Sequence, residues 1–277
     1  MALLLTSSIG SMKIAICVKQ VPDSWAEKKM VDGRLDRASV DAVLNDLDEY
    51  AIEEALRIVE PLNEGSESPQ HTITLISMGP DRATEAIRKG LSMGADGGIL
   101  VTDEALAGSD AIATSLVLSE VITKGAFDLV FCGTESTDAR MSVIPAMLAE
   151  RLGWAQLTFA GSVKVDPTAK SVEIARMTES GVEMMSANFP CVVSVIEKIN
   201  EPRYPSFKGI MAAKKKPIDN KSLADLGLDS GKVGAAGAWS IVDGASPRPP
   251  REQGVKLEDS GEGGAKLADF LIEKRLV

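Results

Sequence analysis

Buried-strand patterns alternate with amphipathic helix patterns between residues 13 and 152, and this alternation restricts the possible folds more than any other feature. Short apolar runs favour strands, whereas a stripe such as Leu47, Ala51 and Ala55 favours a helix. Strands joined by helices at this spacing pair in parallel, so we predict an α/β fold with a doubly wound, mainly parallel sheet. The predicted strands cover 13–18, 71–78, 98–101 and 128–132, and the predicted helices cover 46–60, 110–123 and 142–152, with another opening at 79–81.

The pattern changes between Phe159 and Ser186, where apolar and polar residues alternate around turn signals at Asp166-Pro167 and Ser180-Gly181. Alternation with a period of two between such turns predicts an antiparallel meander. The meander leads into a further strand pattern over 191–196. We therefore expect one Rossmann-like domain over residues 12–205.

The two ends of the chain have weaker patterns. From Pro202 onward we expect no core-forming pattern, apart from an amphipathic helix over Ala265–Arg275. A segment this long without its own core needs a surface to lie on, so we expect residues 206–277 to form a docking loop and an extended arm around a partner. Residues 1–11 have a short apolar run and no basic flank, so we expect a disordered leader and not a signal peptide.

The run from Ile199 to Pro217, INEPRYPSFKGIMAAKKKP, predicts an irregular projecting loop. Its prolines at 202 and 205 oppose both helix and central strand. Large apolar and basic groups on such a loop indicate partner recognition, because hot spots favour aromatic and arginine anchors. The predicted docking residues are Arg203, Tyr204, Phe207, Ile210 and Met211, followed by the basic tail Lys214–Lys216.

Composition excludes several classes of function. A net charge of −10 argues against general binding of nucleic acid or of anionic membranes, and 4% aromatic residues give no stacking platform. No apolar run approaches the length of a membrane span, so we expect no membrane insertion. Cys17, Cys132 and Cys191 lie in apolar runs without a CxxC spacing, and we expect buried, free thiols in a reducing, cytoplasmic compartment.

Several motifs together resemble the electron-transfer flavoprotein β subunits, particularly an actinobacterial-like member of that family. The docking run contains the NEPRY signature and a tail, IMAAKKK, that the family also shows. The resemblance covers about residues 13–277, and any one motif alone is weak. The other matching segments are Ile16–Asp23, Glu53–Ala55, Gly79-Pro80, Ala86–Arg88 with Met93–Asp96, and Gly133 with Asp138.

Independently of that resemblance, three segments should converge at the carboxyl ends of the strands, where doubly wound folds bind ligands. They are Cys17–Lys19, Met78-Gly79 and Gly133–Ser142. The third, GTESTDARMS, carries hydroxyl groups and leads into a helix whose N-terminus favours an anion. From the residues alone, helix capping and nucleotide binding both remain open.

The resemblance implies that this edge is of the adenine nucleotide-binding type and holds AMP. Two departures from the family stand out. Asp46 replaces a proline, so that Asp46 and Asp48 would either meet the adenosine or face solvent. Arg140 would either supply charge to the phosphate or be solvated. The residues that the resemblance assigns to AMP are Cys17, Asn45, Asp46, Leu47, Asp48, Met78, Gly133, Thr134, Glu135, Ser136, Thr137, Asp138, Ser142, Val143 and Ile144.

The resemblance also implies FAD, held mainly by an α subunit, with Ser24 or Trp25 near the flavin. Phe207 stands where relatives commonly have a leucine anchor, and Met177 stands where many have an acid that pairs with the flavin-bearing domain. No residue set looks catalytic: the single histidine, His71, opens a strand. Glu53 and Glu54 are expected on a solvated face or against nearby loops.

The leading hypothesis is therefore the β subunit of a heterodimeric electron carrier. The resemblance implies an electron-transfer flavoprotein α subunit, acyl-CoA dehydrogenases and a membrane electron-transfer flavoprotein–quinone oxidoreductase as partners. One alternative is a subunit of a bifurcating, NADH-oxidising relative with a second FAD in place of AMP. Another is a stand-alone adenine-nucleotide sensor, which leaves the NEPRY run and the long C-terminal segment unexplained.

Overall fold

A nine-stranded sheet forms the centre of the larger part of the protein in the computed structural model, which describes residues 10–31, 34–66, 70–246, 249–251, 253–256 and 258–277. The strands are β1 Lys13–Cys17, β2 Gln20–Pro22, β3 Met30–Val31, β4 Arg34–Leu35, β5 Ala42–Leu44, β6 Thr72–Met78, β7 Gly97–Val101, β8 Leu129–Gly133, β9 Ala155–Asp166, β10 Ser171–Thr178, β11 Gly181–Asn188, β12 Cys191–Val195 and β13 Ile218–Lys221. The order of strands in the large sheet is β11-β10-β9-β12-β8-β1-β6-β7-β13. Two small two-stranded sheets pair β2 with β5 and β3 with β4.

The helices are α1 Asp46–Asn63, α2 Thr84–Met93, α3 Ala111–Gly125, α4 Ile144–Leu152, α5 Phe207–Ala213, α6 Leu223–Leu226, α7 Gly234–Gly237 and α8 Gly263–Glu273. One apolar core packs against α1 and α2 on one face of the sheet, and the other packs against α3 and α4 on the opposite face. Strands β12, β8, β1, β6, β7 and β13 run parallel. The predicted doubly wound fold is confirmed.

Burial explains why the central strands read as continuous apolar runs. All five residues of β8 and all five of β12 are buried, as expected for parallel strands covered on both faces. In α1, Ala51, Ile52 and Ala55 are fully buried at helical spacing, so this helix packs its apolar stripe on the sheet. Cys17, Cys132 and Cys191 are buried free thiols, as predicted.

The antiparallel meander is also confirmed, as β9, β10 and β11. Val172 and Ile174 of β10 face the first core and are about 1% exposed. The opposite face leaves Met177, Val182 and Met184 at least 41% exposed. The meander thus contributes one face to the core and presents an apolar outer face.

The expectation that no core-forming pattern persists after Pro202 is wrong. Strand β13 pairs with β7 at the edge of the sheet, and the buried residues Leu223, Leu226 and Val233 complete the second core. Their spacing is too short and interrupted to stand out as a pattern in the sequence. The compact unit that contains the sheet accordingly extends to Asp243, beyond the expected division at 205/206.

Residues 244–277 form a second, smaller unit. Its helix α8 begins two residues before the predicted helix and leaves Leu267 and Ile272 more than half exposed. Most of the predicted leader, residues 1–9, lies outside the described residues. Among the residues that the structure describes, no helix is both long and apolar enough to span a membrane.

Candidate nucleotide and docking sites

The predicted convergence of Cys17, Met78 and Gly133 follows from the register of the central strands. Cys17 of β1 is aligned with Cys132 of β8 on one side and with Ile76 of β6 on the other. The helices that follow β1 and β8, α1 and α4, pack on opposite faces of the sheet. The β1/β8 pair is therefore the topological switch point, the place where open α/β sheets bind ligands.

Asn45 joins the start of α1 to the loop after β8. Its amide nitrogen donates to Asp48 Oδ1 and to the carbonyl oxygen of Glu135, both at 2.9 Å. Its amide oxygen accepts from the backbone N–H of Thr137 at 3.0 Å. Since Asn45 is fully buried, these bonds fix the loop against α1.

Asp138 is the centre of a second buried polar group in the same loop. Its side chain is 1% exposed and accepts from Lys19 Nζ at 2.7 Å and from Arg37 Nε at 3.0 Å. Lys19 Nζ also donates to Ser136 Oγ at 3.2 Å. Burial alone would raise the pKa of Asp138, but the charge of Lys19 and the donated hydrogen bonds outweigh it and lower the pKa to about 2. Asp138 is therefore ionised and holds two cations at this edge.

Asp48 is buried beside this group, so of the two expected alternatives it does not face solvent. Its two oxygens accept from the backbone N–H of Lys19 at 2.8 Å and from Asn45 at 2.9 Å. Burial raises the pKa of Asp48 to about 7, because the hydrogen bonds offset only part of the lost hydration. We call Lys19, Asn45, Asp48 and the loop 134–142 the polar edge.

Gly133 allows this close packing. A Cβ atom there would lie 2.7 Å from the carbonyl of Leu47 and 2.8 Å from Asp48 Oδ1. The close approach is to the start of α1, so the fold itself requires a glycine at position 133.

The end of the loop meets the N-terminus of α4, where no side chain caps the helix. Glu135 accepts from Arg140 Nη1 at 2.9 Å and from Ser142 Oγ at 3.2 Å. Arg140 and Ser142 both have positive φ angles, 48° and 54°, in the region that disfavours residues with a Cβ. The Arg140 side chain is 66% exposed and forms an ion pair with Glu135. Of the two expected alternatives, this arrangement is closer to a solvated side chain than to one that supplies charge to a phosphate.

The remaining predicted AMP residues lie around this edge. Thr134 is buried directly after β8, and Val143 and Ile144 begin α4. Met78 ends β6 and is partly buried on the second core, which also contains Cys17. Asp46 is exposed, unlike the other members of the set.

Lys19 lies two residues after β1, in the segment Cys17–Lys19 that was predicted at this edge, although it was not among the residues assigned to AMP. Arg37 was not predicted there. Arg37 lies in a turn-rich stretch far from the other members in sequence, and only the folded structure brings it to Asp138.

The predicted flavin-proximal residues lie on the segment between β2 and β3. Ser24 is exposed, and Trp25 is 95% exposed with its backbone N–H bonded to Asp23 Oδ1. A tryptophan displayed in this way contributes nothing to the core. It is available for contact with a partner or its cofactor.

The NEPRY run is fastened to α1. Asn200 donates to the carbonyl oxygen of Tyr50 at 3.0 Å and to Glu54 Oε2 at 3.1 Å. Arg203 Nε donates to Glu53 Oε2 at 2.7 Å, and its Nη1 donates to Glu60 Oε1 at 2.6 Å. Glu53 and Glu54 therefore contact the nearby loop, one of the two expected alternatives, and the Arg203 side chain is engaged within the chain.

These contacts shift the pKa values of the groups involved. Burial would raise the pKa of Glu53, but the hydrogen bonds from Arg203 outweigh it and lower the pKa. Burial raises the pKa of Glu54, against the bond from Asn200. Hydrogen bonds from the Arg203 guanidinium to Glu60 and Glu53 raise the pKa of Arg203, so the clamp keeps its charge.

The expected irregular loop after Arg203 is in fact helix α5, capped by Ser206 Oγ, which accepts from the backbone N–H of Gly209 at 3.1 Å. A serine N-cap provides an acceptor for a backbone N–H in the first turn, and it stabilises a helix that begins directly after the prolines at 202 and 205. Tyr204 is 94% and Phe207 80% exposed, and Ile210 and Met211 are about half exposed. Positions 207, 210 and 211 share one helix face. We call these four residues the docking surface.

No cluster of histidine, cysteine or acidic residues fit to hold a metal occurs among the described residues. The protein is thus a doubly wound α/β protein with a buried polar network at its topological switch point and a short helix, α5, that exposes apolar side chains.

Comparisons with known proteins give this class a specific identity. The family described as "Electron transfer flavoprotein domain" matches residues 32–226. The "Electron transfer flavoprotein subunit beta" of Mycobacterium tuberculosis is 44% identical over 267 residues, covering 95% of this chain and 99% of the relative. That of Megasphaera elsdenii is 34% identical, covering 95% and 97%, and "Protein FixA" of Azotobacter vinelandii is 33% identical, covering 95% and 94%. The chain belongs to the electron transfer flavoprotein family, as a member of its beta-subunit group.

Proposed function

We propose that this chain is the β subunit of a heterodimeric electron carrier in the cytoplasm. The carrier takes electrons from acyl-CoA dehydrogenases and related enzymes, as in fatty acid β-oxidation, and delivers them to a membrane electron-transfer flavoprotein–quinone oxidoreductase. The observation that carries this proposal is the docking surface: α5 exposes apolar side chains on a firmly attached segment in a member of this family. The chain itself performs no bond chemistry.

The polar edge is the proposed AMP site. Its donors suit an anion: the uncapped N-terminus of α4, the hydroxyls of Thr134, Ser136 and Thr137, and the ammonium of Lys19. The two buried carboxylates, Asp48 and Asp138, are already bonded within the chain. The residues present therefore fit a nucleotide whose phosphate lies toward α4.

FAD, when bound mainly by the α subunit, supplies the redox chemistry by accepting and releasing electrons. The proposed contribution of this chain is contact from the segment that contains Ser24 and Trp25. Trp25 presents a large ring to the outside of the compact unit. A ring in that position can cover the hydrocarbon edge of a flavin and exclude water.

The second unit, 244–277, is proposed to embrace the α subunit. Its helix α8 has Leu267 and Ile272 exposed, which is apolar surface that a partner would cover. A chain truncated after Asp243 keeps the whole sheet-containing unit. It should fail to elute with the α-type subunit on gel filtration, whereas an intact heterodimer would refute the arm.

The direct test is the cofactor content of the complex. The chain is co-expressed with the α-type subunit of its genome, the purified complex is denatured, and the released FAD and AMP are quantified. One FAD and one AMP per heterodimer is the expected result. Two FAD without AMP would favour the bifurcating alternative, and a free chain that binds nucleotide without flavin would favour the sensor.

A further inference from the structure

Helix α5 uses one face for folding and exposes the other. Ala213 is 3% exposed and belongs to the first core. At Gly209 an added Cβ would lie 2.5 Å from the carbonyl oxygen of Ser92, so α5 crosses the end of α2 at very close range. With only seven residues, α5 is too short to persist as an isolated helix. Its contacts with α2 therefore determine its conformation and direction.

Lys216, just beyond α5, caps the C-terminus of α2. Its ammonium donates to the carbonyl oxygens of Leu91 at 3.2 Å, Gly94 at 2.9 Å and Ala95 at 2.6 Å. An ammonium has three N–H donors, so all of them are used here. A cation among the last carbonyls of a helix is also favoured by the helix dipole.

Arg88, within α2, makes the reverse contact. Its Nη1 donates to the carbonyl oxygen of Ala213, the last residue of α5, at 2.6 Å and to that of Lys216 at 2.7 Å. The C-terminus of α2 is thus capped by a residue just beyond α5, and the C-terminus of α5 is capped by a residue of α2. The pair of contacts fixes the end of α5 as Asn200 and Arg203 fix the segment before it.

We propose that Arg88 and Lys216 are positioning residues that hold the docking surface in one preformed orientation for the dehydrogenase. The proposal rests on the proposed function, since it assumes that the docking surface is where a dehydrogenase binds. Lys216 acts through the backbone of α2 and α5 and not as part of a basic recognition tail. Lys214 and Lys215 are exposed, so Lys214 offers a neighbouring charge of the same sign outside these carbonyl contacts.

A preformed docking surface improves association because the helix is ordered before the encounter. Loss of either cap would keep the Phe207 side chain itself, but the direction of helix α5 that carries it would no longer be fixed. The KM of the dehydrogenase for the flavoprotein should then rise, while kcat, measured at saturating flavoprotein, should change little. Electron transfer within the formed complex still follows the same contacts.

The matched pair of variants is Lys216→Met and Lys214→Met, each in the complete complex with the α-type subunit. Both remove one positive charge from the tail, but only the first removes contacts with carbonyl groups. For Lys216→Met we expect KM to rise about tenfold, since charge-assisted hydrogen bonds are lost. For Lys214→Met we expect less than about a twofold change, because an exposed charge is screened by salt.

A double variant separates positioning from general damage. In a Phe207→Ala background, Lys216→Met should raise KM by a smaller factor than in the wild-type background, because the largest anchor that it positions is absent. Amide hydrogen exchange of peptides covering 207–213 should accelerate in Lys216→Met, with FAD and AMP content unchanged. If Lys216→Met fails to assemble, Arg88→Lys, which keeps the charge but shortens the reach, is measured in the same way.

The outcomes distinguish this inference from the function on which it rests. A raised KM in Phe207→Ala together with a wild-type KM in Lys216→Met and Arg88→Lys would overturn the positioning role and leave docking intact. A wild-type KM in Phe207→Ala would overturn docking at α5 itself. Equal effects of Lys216→Met and Lys214→Met would show that charge alone matters and would also overturn the positioning role.

Discussion

The polar edge and the docking surface are built in opposite ways, although α1 supports both. At the polar edge, buried polar side chains bond to one another around Asn45 and Asp138. At the docking surface, apolar side chains are exposed to solvent, and the preceding Arg203 is bonded to Glu53 and Glu60 of α1. The polar edge therefore buries polar and charged groups, whose burial costs free energy unless they are hydrogen-bonded. The docking surface exposes large apolar side chains, which are usually buried.

Because of this difference, substitutions should affect stability and binding together at the polar edge, but binding alone at the docking surface. Removing a buried polar partner leaves its neighbours unsatisfied, so the polar edge should lose stability and nucleotide together. Removing an exposed apolar side chain leaves no cavity, so the docking surface should lose association alone. The predictions below test that separation, from the largest expected effect to the smallest.

Asn45→Ala should be the most damaging change. It removes the Asn45 hydrogen-bond partner of Asp48 Oδ1, of the carbonyl oxygen of Glu135 and of the backbone N–H of Thr137. We therefore expect a loss of about 3 kcal/mol in the free energy of unfolding. Chemical denaturation of the complex measures this, and AMP content should fall with it. The control is Asn220→Ala in β13, where the side chain is exposed. A loss no larger than that of the control would contradict the network.

Phe207→Ala should weaken association and spare the fold. Burying this 80%-exposed ring in a dehydrogenase pocket is worth about 2 kcal/mol, so KM should rise about 30-fold. Steady-state reduction by an acyl-CoA dehydrogenase measures this change. Ile241→Ala, an 89%-exposed apolar side chain outside the docking surface, is the control. A lowered FAD or AMP content with unchanged KM would break the separation between the two regions.

Asp48 should make the free energy of unfolding fall as the pH rises between its ordinary pKa and its raised pKa. Its pKa is raised from the usual 3.8 to about 7, so its contribution is fully present below the lower value and is lost as pH rises through the upper one. Wild type should therefore lose more stability than Asp48→Asn between about pH 5 and pH 8. Denaturant midpoints of both proteins at the two pH values give the comparison. Parallel pH profiles would show that Asp48 does not titrate there.

Arg140→Gly should have the smallest effect. Glycine relieves the positive φ of 48°, while an exposed ion pair with Glu135 is lost, so we expect a net change within about 0.5 kcal/mol. Because the guanidinium is bonded to Glu135, AMP content should also stay the same. If AMP is lost while the denaturant midpoint is unchanged, Arg140 supplies charge to the phosphate after all.

Periodicity predicted the sheet and its helices, because buried parallel strands and amphipathic helices have distinct spacings in sequence. It failed after Pro202, where α5 depends on a serine cap and on contacts with α2 that are distant in sequence. Strand β13 has only four residues and none is fully buried, so it has no apolar run.

The sequence could predict only those parts of the candidate sites that lie at the ends of predicted strands. The strand-end segments at Cys17 and Gly133, which include Lys19, were placed correctly by topology, whereas Arg37, the other cation bonded to Asp138, was not. Arg37 reaches Asp138 across 101 residues of sequence, and no local pattern reports such a contact. The bond from Arg203 to Glu53 of α1 likewise joins residues 150 positions apart. No pattern in the sequence therefore indicated that the Arg203 side chain is bonded within the chain.

The most direct test of two separate sites is hydrogen–deuterium exchange of the complete complex with the α-type subunit, with and without a dehydrogenase. Our account predicts slower exchange in peptides covering 203–213 when the dehydrogenase is added. Peptides covering 133–144 should be unchanged by the dehydrogenase and should accelerate only when the nucleotide is removed. Protection at 133–144 with none at 203–213 would contradict the assignment of docking to α5.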